Sequence, residues 1–162
     1  MFAECETGKT SFAEFSAGAV AQIEAEQGIA VPPERLATMM AAIMGGPVEG
    51  PMRELVLELK AAGLQIRILS NIYRELDAWL RAAFPGGTID VFAPSYELGL
   101  RKPEAAAYQA LIELCALPPE QIVFVDDFRE NVEAAQSAGL QGILFTSEDA
   151  LRKELRELGV VV

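Results

Sequence analysis

Apolar positions run at helical spacing early in the chain and then fall into short blocks separated by helical stretches. Residues 11 to 27 predict a helix. Ser11 with Glu14 three residues on forms a capping-box pattern, and Gly28 stops the run. A second helix is predicted from Pro33 to Met44, ended by Gly45-Gly46-Pro47. From Pro51 the pattern alternates. Pro51 to Ala62 reads as a helix, Leu64 to Leu69 as a strand and Ile72 to Phe84 as a helix. Ile89 to Ala93 reads as a short strand followed by a loop through Arg101, and Pro103 to Ala116 as a helix with proline at its first position. Gln121 to Val125 and Gly142 to Phe145 are predicted strands, with helices at Phe128 to Ala138 and Glu148 to Leu158. Strands separated by helices imply crossovers and a parallel sheet covered on both faces. The fold class is therefore α/β: a small helical piece, residues 1 to 46, leading into an α/β core, residues 47 to 162.

Composition narrows the chemistry. A length of 162 residues suits one domain with a real core, and 51% apolar content argues against disorder. No apolar run reaches the roughly 18 residues that a membrane helix needs, and the amino terminus does not read as a secretory signal. Cys5 and Cys115 form neither a disulfide framework nor a zinc motif, so a reduced cytoplasmic setting is expected. The net charge of −11 argues against nucleic acid and anionic membranes as partners. With no histidine in the chain, acid–base work must fall to carboxylates, lysine or tyrosine.

Three predicted strand ends carry candidate chemistry, because a doubly wound sheet gathers them on one edge. The last of them is the most informative: Ile122 to Val125 run into Asp126-Asp127 and then into a helix. Carboxylate oxygens with nothing softer nearby suit a hard cation such as Mg²⁺. Asp127 with Glu130 also reads as a helix cap, which leaves Asp126 in need of a partner, Lys102 or a metal. Ser70-Asn71 ends the first strand, where a hydroxyl and helix N–H groups can hold a phosphate oxygen; capping of the next helix is the competing reading. Lys102, just before Pro103, can pair with a phosphate and the carboxylates around it, against the plain reading of a solvated lysine.

The ordered set Ser70-Asn71, Lys102-Pro103, Asp126-Asp127 with Asn131 resembles the haloacid dehalogenase (HAD) superfamily of hydrolases. Within it the chain looks most like the phosphatases related to the amino-terminal domain of epoxide hydrolase and to bacterial sugar-phosphate phosphatases. Glu6-Thr7-Gly8-Lys9-Thr10-Ser11-Phe12-Ala13-Glu14-Phe15 is similar to the stretch entering their helical cap. Phe124-Val125-Asp126-Asp127, followed by Asn131-Val132, Ala134-Ala135 and Gly139, is similar to their last motif. The resemblance implies a Rossmann-like doubly wound sheet with a partial helical cap over residues 1 to 46. It also implies a Mg²⁺-dependent phosphatase that cleaves a small phosphorylated metabolite through an aspartyl-phosphate. Carried over by position, Ser70 would hydrogen-bond the phosphoryl group with Asn71 beside it, and Lys102 would offset its charge. Asp127 would be the direct metal ligand and Asp126 would assist.

One part of the family pattern is missing. The family opens with a central strand ending in Asp-x-Asp, one aspartate being the nucleophile, whereas Glu4, Glu6 and Glu14 sit in no apolar strand. Without that strand, its two neighbours lose a shared partner. They would either close up on each other or take a second chain into the slot, so marginal stability or a homo-oligomer is expected. Three functions follow. The first is a phosphatase whose catalytic set is incomplete in this chain. The second is a non-catalytic relative that binds a phosphorylated ligand or protein partner. The third, metal-free dehalogenation of a small acid, has no need of the acidic pair. Tyr73, Tyr96 and Arg101 are expected near the substrate opening.

Overall fold

A computed structural model of the protein describes residues 2–32, 34–35, 38 and 50–162. The predicted helix from Pro33 to Met44 falls largely outside them. Helices α1 (Phe2–Glu6) and α2 (Phe12–Gln27) come first. The capping box forms as read: the Ser11 hydroxyl accepts from the Glu14 N–H, and the Glu14 carboxylate accepts from the Ser11 N–H at 2.8 Å. Gly28, at φ 67°, closes α2 in the left-handed conformation that a side chain resists.

The remaining order is α3 (Pro51–Ala61), β1 (Arg67–Ser70), a 3₁₀ turn (Arg74–Leu76), α4 (Asp77–Ala82), β2 (Val91–Pro94) and α5 (Ser95–Leu98). Then come α6 (Ala105–Cys115), a 3₁₀ turn (Pro119–Gln121), β3 (Val123–Asp126), α7 (Arg129–Ser137), β4 (Gln141–Leu144) and α8 (Glu148–Glu157). Among the described residues no helix is long and apolar enough to cross a membrane.

Several elements differ from their sequence reading, the first two because of contacts distant in sequence. The first strand begins at Arg67 instead of Leu64, because the Asp90 carboxylate takes the Ile66 N–H at 2.7 Å while binding Lys60. The helix expected from Ile72 starts only at Arg74. Buried Ser95 accepts the Ile72 N–H at 3.0 Å and donates to its carbonyl at 3.2 Å, and Tyr73 remains extended. Pro103 lies before α6, not at its first position, since extended Glu104 is the cap residue; the Lys102–Pro103 peptide bond is cis. Part of the segment read as a loop through Arg101 forms the single turn α5.

The four strands form two parallel pairs. Sheet β1–β2 aligns Leu69 with Ala93 and Ser70 with Pro94; sheet β3–β4 aligns Val125 with Ile143 and Asp126 with Leu144. No described strand lies between the pairs, and they do not pair with each other. Among the described residues the sheet is thus split, and β1 and β3 do not close up on each other.

Alternating side chains assign the two faces. Phe124 packs with Leu69, Ala93, Tyr108, Leu111 and Ala135, under α6 and α7. Val123 and Val125 pack on the other face against Leu55, Leu151 and Leu155, under α3 and α8. Helices on both faces make the fold doubly wound. A third cluster joins Cys5 of α1 and Phe12 of α2 to Ile72, Tyr73, Leu76 and Tyr96. Phe12 stacks on Tyr73 with ring centroids 4.4 Å apart.

Gly8 sets how closely α1 approaches α5. Its φ is +72°, and a Cβ there would lie 2.7 Å from the Tyr96 carbonyl oxygen. Gly8→Ala adds a left-handed backbone penalty to a collision with main chain, so a loss of about 2 kcal/mol is expected. Urea unfolding measures it, and an unchanged midpoint would contradict the close approach.

Candidate active site at the strand ends

The three sequence-marked segments converge at the carboxyl ends of β1 and β3. Asn71, just past β1, holds the backbone of Lys102 from both sides. Its Nδ2 donates to the Lys102 carbonyl at 2.8 Å, and its Oδ1 accepts the Lys102 N–H at 2.8 Å. It therefore fastens a loop instead of capping a helix. The clamped backbone aims Lys102 at Asp126, and Nζ meets Oδ2 at 2.6 Å. The lysine stem runs beside Phe124, with the ammonium 5.8 Å from the ring centroid. Both side chains are largely out of water, 13% and 5% exposed, so the solvated-lysine reading does not hold.

Asp126, not Asp127, organises the start of α7. Its Oδ1 accepts from the Phe128 N–H at 2.9 Å and from Asn131 Nδ2 at 2.8 Å. The cap residue of α7 is Phe128, with no side-chain cap, so the reading of Asp127 and Glu130 as a capping pair is corrected. The cap reading failed because the strand runs one residue further than expected, through Asp126. Asp127 is exposed, and among the described residues no hydrogen bond or ion pair engages its carboxylate. The two aspartates are thus not a buried, repelling pair: one is neutralised inside and the other stands open to solvent. Ser70 completes the edge, half-buried at the end of β1.

Burial pushes the Asp126 carboxyl up, but the Lys102 ammonium, the Asn131 amide and the Phe128 N–H outweigh it and hold it below the usual carboxylate range. A carboxyl whose affinity for protons is weaker when folded contributes stability above its ordinary value of 3.8. That contribution is lost as pH falls through the folded value. Asp126→Asn should therefore flatten the acid limb of stability below about pH 4 while lowering stability at pH 7. Unfolding midpoints from pH 2.5 to 7 check this, and parallel curves for the two proteins would refute it.

Behind the site, Tyr108 is fully buried and donates its hydroxyl to the Asn131 carbonyl at 2.8 Å. Burial first, then the Asp126 and Glu130 charges, push that hydroxyl up to about 12, so it stays a donor. Sequence reasoning passed over Tyr108 and Ser95, since both act on residues 23 positions away. The residues expected near the opening have other work. Tyr73 and Tyr96 are buried in the α1–α2 cluster, and Arg101 pairs with buried Glu6 at 2.8 Å.

The donors suit a hard cation in type. Mg²⁺ keeps several waters and uses as few as one or two carboxylates. Asp127 is available for that role, with Asp126 beside it. No cluster of three acidic, histidine or cysteine ligands occurs among the described residues.

Comparison with known proteins gives the family. Residues 7–139 match the model of the haloacid dehalogenase-like hydrolases. The chain belongs to that family. HAD relatives include a sesquiterpene phosphatase of Aspergillus oryzae, 34% identical over 109 residues, covering 66% of this chain and 55% of that protein. A phosphatase of Mycobacterium tuberculosis is 29% identical over 129 residues, covering 76% of this chain and 58% of that protein. The chain thus spans little more than half the length of these relatives. Among solved structures, a HAD enzyme of Bacteroides thetaiotaomicron aligns with a TM-score of 0.68 at 27% identity, over 90% of this chain and 75% of that one. That crystal holds an aspartate-to-alanine variant with magnesium and inorganic phosphate. The HAD assignment and the Rossmann-like α/β class expected from the strand ends therefore stand.

Proposed function

We propose that this chain carries the phosphoryl- and metal-binding part of a Mg²⁺-dependent HAD phosphatase acting on a small phosphomonoester. The relay from Asn71 through Lys102 to Asp126 carries the reading, because it fixes a cation between the ends of β1 and β3. The phosphatase names of the two relatives and the magnesium and phosphate of the structural neighbour support it. In this reading Ser70 donates to a phosphoryl oxygen, Asn71 holds the loop and Lys102 offsets phosphoryl charge. Asp127 ligates Mg²⁺ with Asp126 assisting, and the metal supplies further charge stabilisation. Residues 1 to 46 act as a partial cap that bears on substrate choice.

The aspartate nucleophile of an aspartyl-phosphate route is not among these residues. Losing a nucleophile costs on the order of 10⁶ in rate, so the 162-residue chain should bind without turning over. Calorimetry with inorganic phosphate tests this. Binding that requires Mg²⁺, and is lost in Asp127→Asn at unchanged thermal stability, is the expected result. Phosphate binding indifferent to Mg²⁺ would sink the phosphatase reading and leave the metal-free alternative.

A further inference from the structure

Lys102 owes its aim to more than Asn71. The Asn71 side chain bonds the N–H and the carbonyl of Lys102, at 2.8 Å each. Two bonds define an axis, and a loop held only there can still turn about it. The flexible four-carbon stem of a lysine magnifies such a turn at the ammonium. A third attachment, off that axis, stops it.

Arg101 provides the third attachment. Its Nε and one terminal nitrogen meet the same Glu6 oxygen, Oε2, at 2.9 and 2.8 Å. Glu6 is buried at the end of α1, 95 positions from its partner. Helix α1 is itself firmly seated: Cys5 packs among Ile72, Tyr73 and Tyr96, and Gly8 lies against the Tyr96 carbonyl. Within the loop, the Glu104 N–H bonds the Arg101 carbonyl at 2.9 Å, so residue 101 is fixed in backbone and side chain alike. Two adjacent residues thus take carboxylates from different parts of the fold. Arg101 takes Glu6 from the helical piece, and Lys102 takes Asp126 from β3.

Stability alone does not ask for this arrangement. Desolvation offsets most of the attraction within a buried ion pair, and a carboxylate costs more to bury than an apolar side chain. What the pair does supply is a fixed place for residue 101.

We propose that Glu6 is a positioning residue for Lys102: through Arg101 it stops the loop from turning about the Asn71 clamp, and so holds the ammonium on Asp126. The inference rests on the proposed function only for the phosphoryl charge that Lys102 offsets. The positioning itself needs neither phosphate nor metal. It joins the helical piece to the site by a route that does not pass through a substrate.

Glu6→Gln in the full 162-residue chain tests this, read by amide exchange at single residues. Glutamine keeps the volume, and Arg101, already 32% exposed, can turn to water, so no buried charge is stranded. The Lys102 N–H should exchange about tenfold faster or more. The Gln141 N–H, bonded to the Ile122 carbonyl at 2.9 Å, should keep its parent rate. Arg101→Lys, which leaves a cation against Glu6, should stay within about threefold of the parent at Lys102. Labelling of the buried Cys5 thiol separates positioning from simple attachment of α1, and its rate should not change. An unchanged Lys102 N–H would overturn the proposal. So would equal acceleration at Lys102 and Gln141, or Cys5 labelling that rises in step with Lys102 exchange, since either shows a pair that only holds structure together. Faster Lys102 exchange with no phosphate binding in parent or variant would keep the positioning and remove the phosphatase reading, so the two fail separately.

Discussion

Replacing Lys102 with methionine is expected to cost about 3 kcal/mol of folding stability, because it strands a buried carboxylate. The ammonium lies 2.6 Å from Asp126, whose side chain is 5% exposed, so water cannot replace it readily. Methionine keeps most of the stem beside Phe124, so the loss reports on charge more than on packing. For a chain of this size the melting temperature should fall by roughly 6–12 °C. Adding Asp126→Asn removes the uncompensated charge, and the double variant should recover to a loss of about 1–2 kcal/mol. A double-mutant cycle by urea unfolding measures the coupling. Additive losses would mean that the two side chains do not depend on each other.

Tyr108→Ala should cost about 4 kcal/mol, the range for deleting a large buried aromatic. Its ring meets Phe124 edge-on with centroids 5.4 Å apart, and it sits in the cluster that spans both half-sheets. The conservative Tyr108→Phe keeps that packing and removes only the donor to the Asn131 carbonyl, for about 1–2 kcal/mol. Because Asn131 also holds Asp126, Tyr108→Phe should loosen the acidic corner as well as the core. Denaturant midpoints rank the two variants. Equal losses would show that the hydroxyl carries the whole effect.

What was legible in the sequence divides by distance along the chain. Helix α2 was readable to the residue because Ser11, Glu14 and Gly28 act within one turn of its ends. The segments that matter chemically were readable too, since a strand ending in polar residues marks the functional edge of an open sheet. How Asn71 acts was not readable, since it works on a residue 31 positions away, whereas Lys102 was one of the two partners expected for Asp126, 24 positions back. The capping pattern at Asp127 misled because it is local, while the strand's length was set by pairing with β4. The split of the sheet among the described residues was not marked by any single residue. Its form, an open seam instead of a collapsed one, needed the three-dimensional packing to be seen.

The Asn71–Lys102–Asp126 relay has a mechanical consequence. Asn71 belongs to the half with β1 and Asp126 to the half with β3, so the relay is a rivet across a seam. An anion that competed for the Lys102 ammonium would draw on a bond that, beside the shared core, fastens the halves. By linkage, what loosens the seam must also change affinity for that anion, by an equal factor in each direction. Occupancy of such a site and the separation of the two half-sheets would then be one coupled equilibrium, with Lys102 as its shared component.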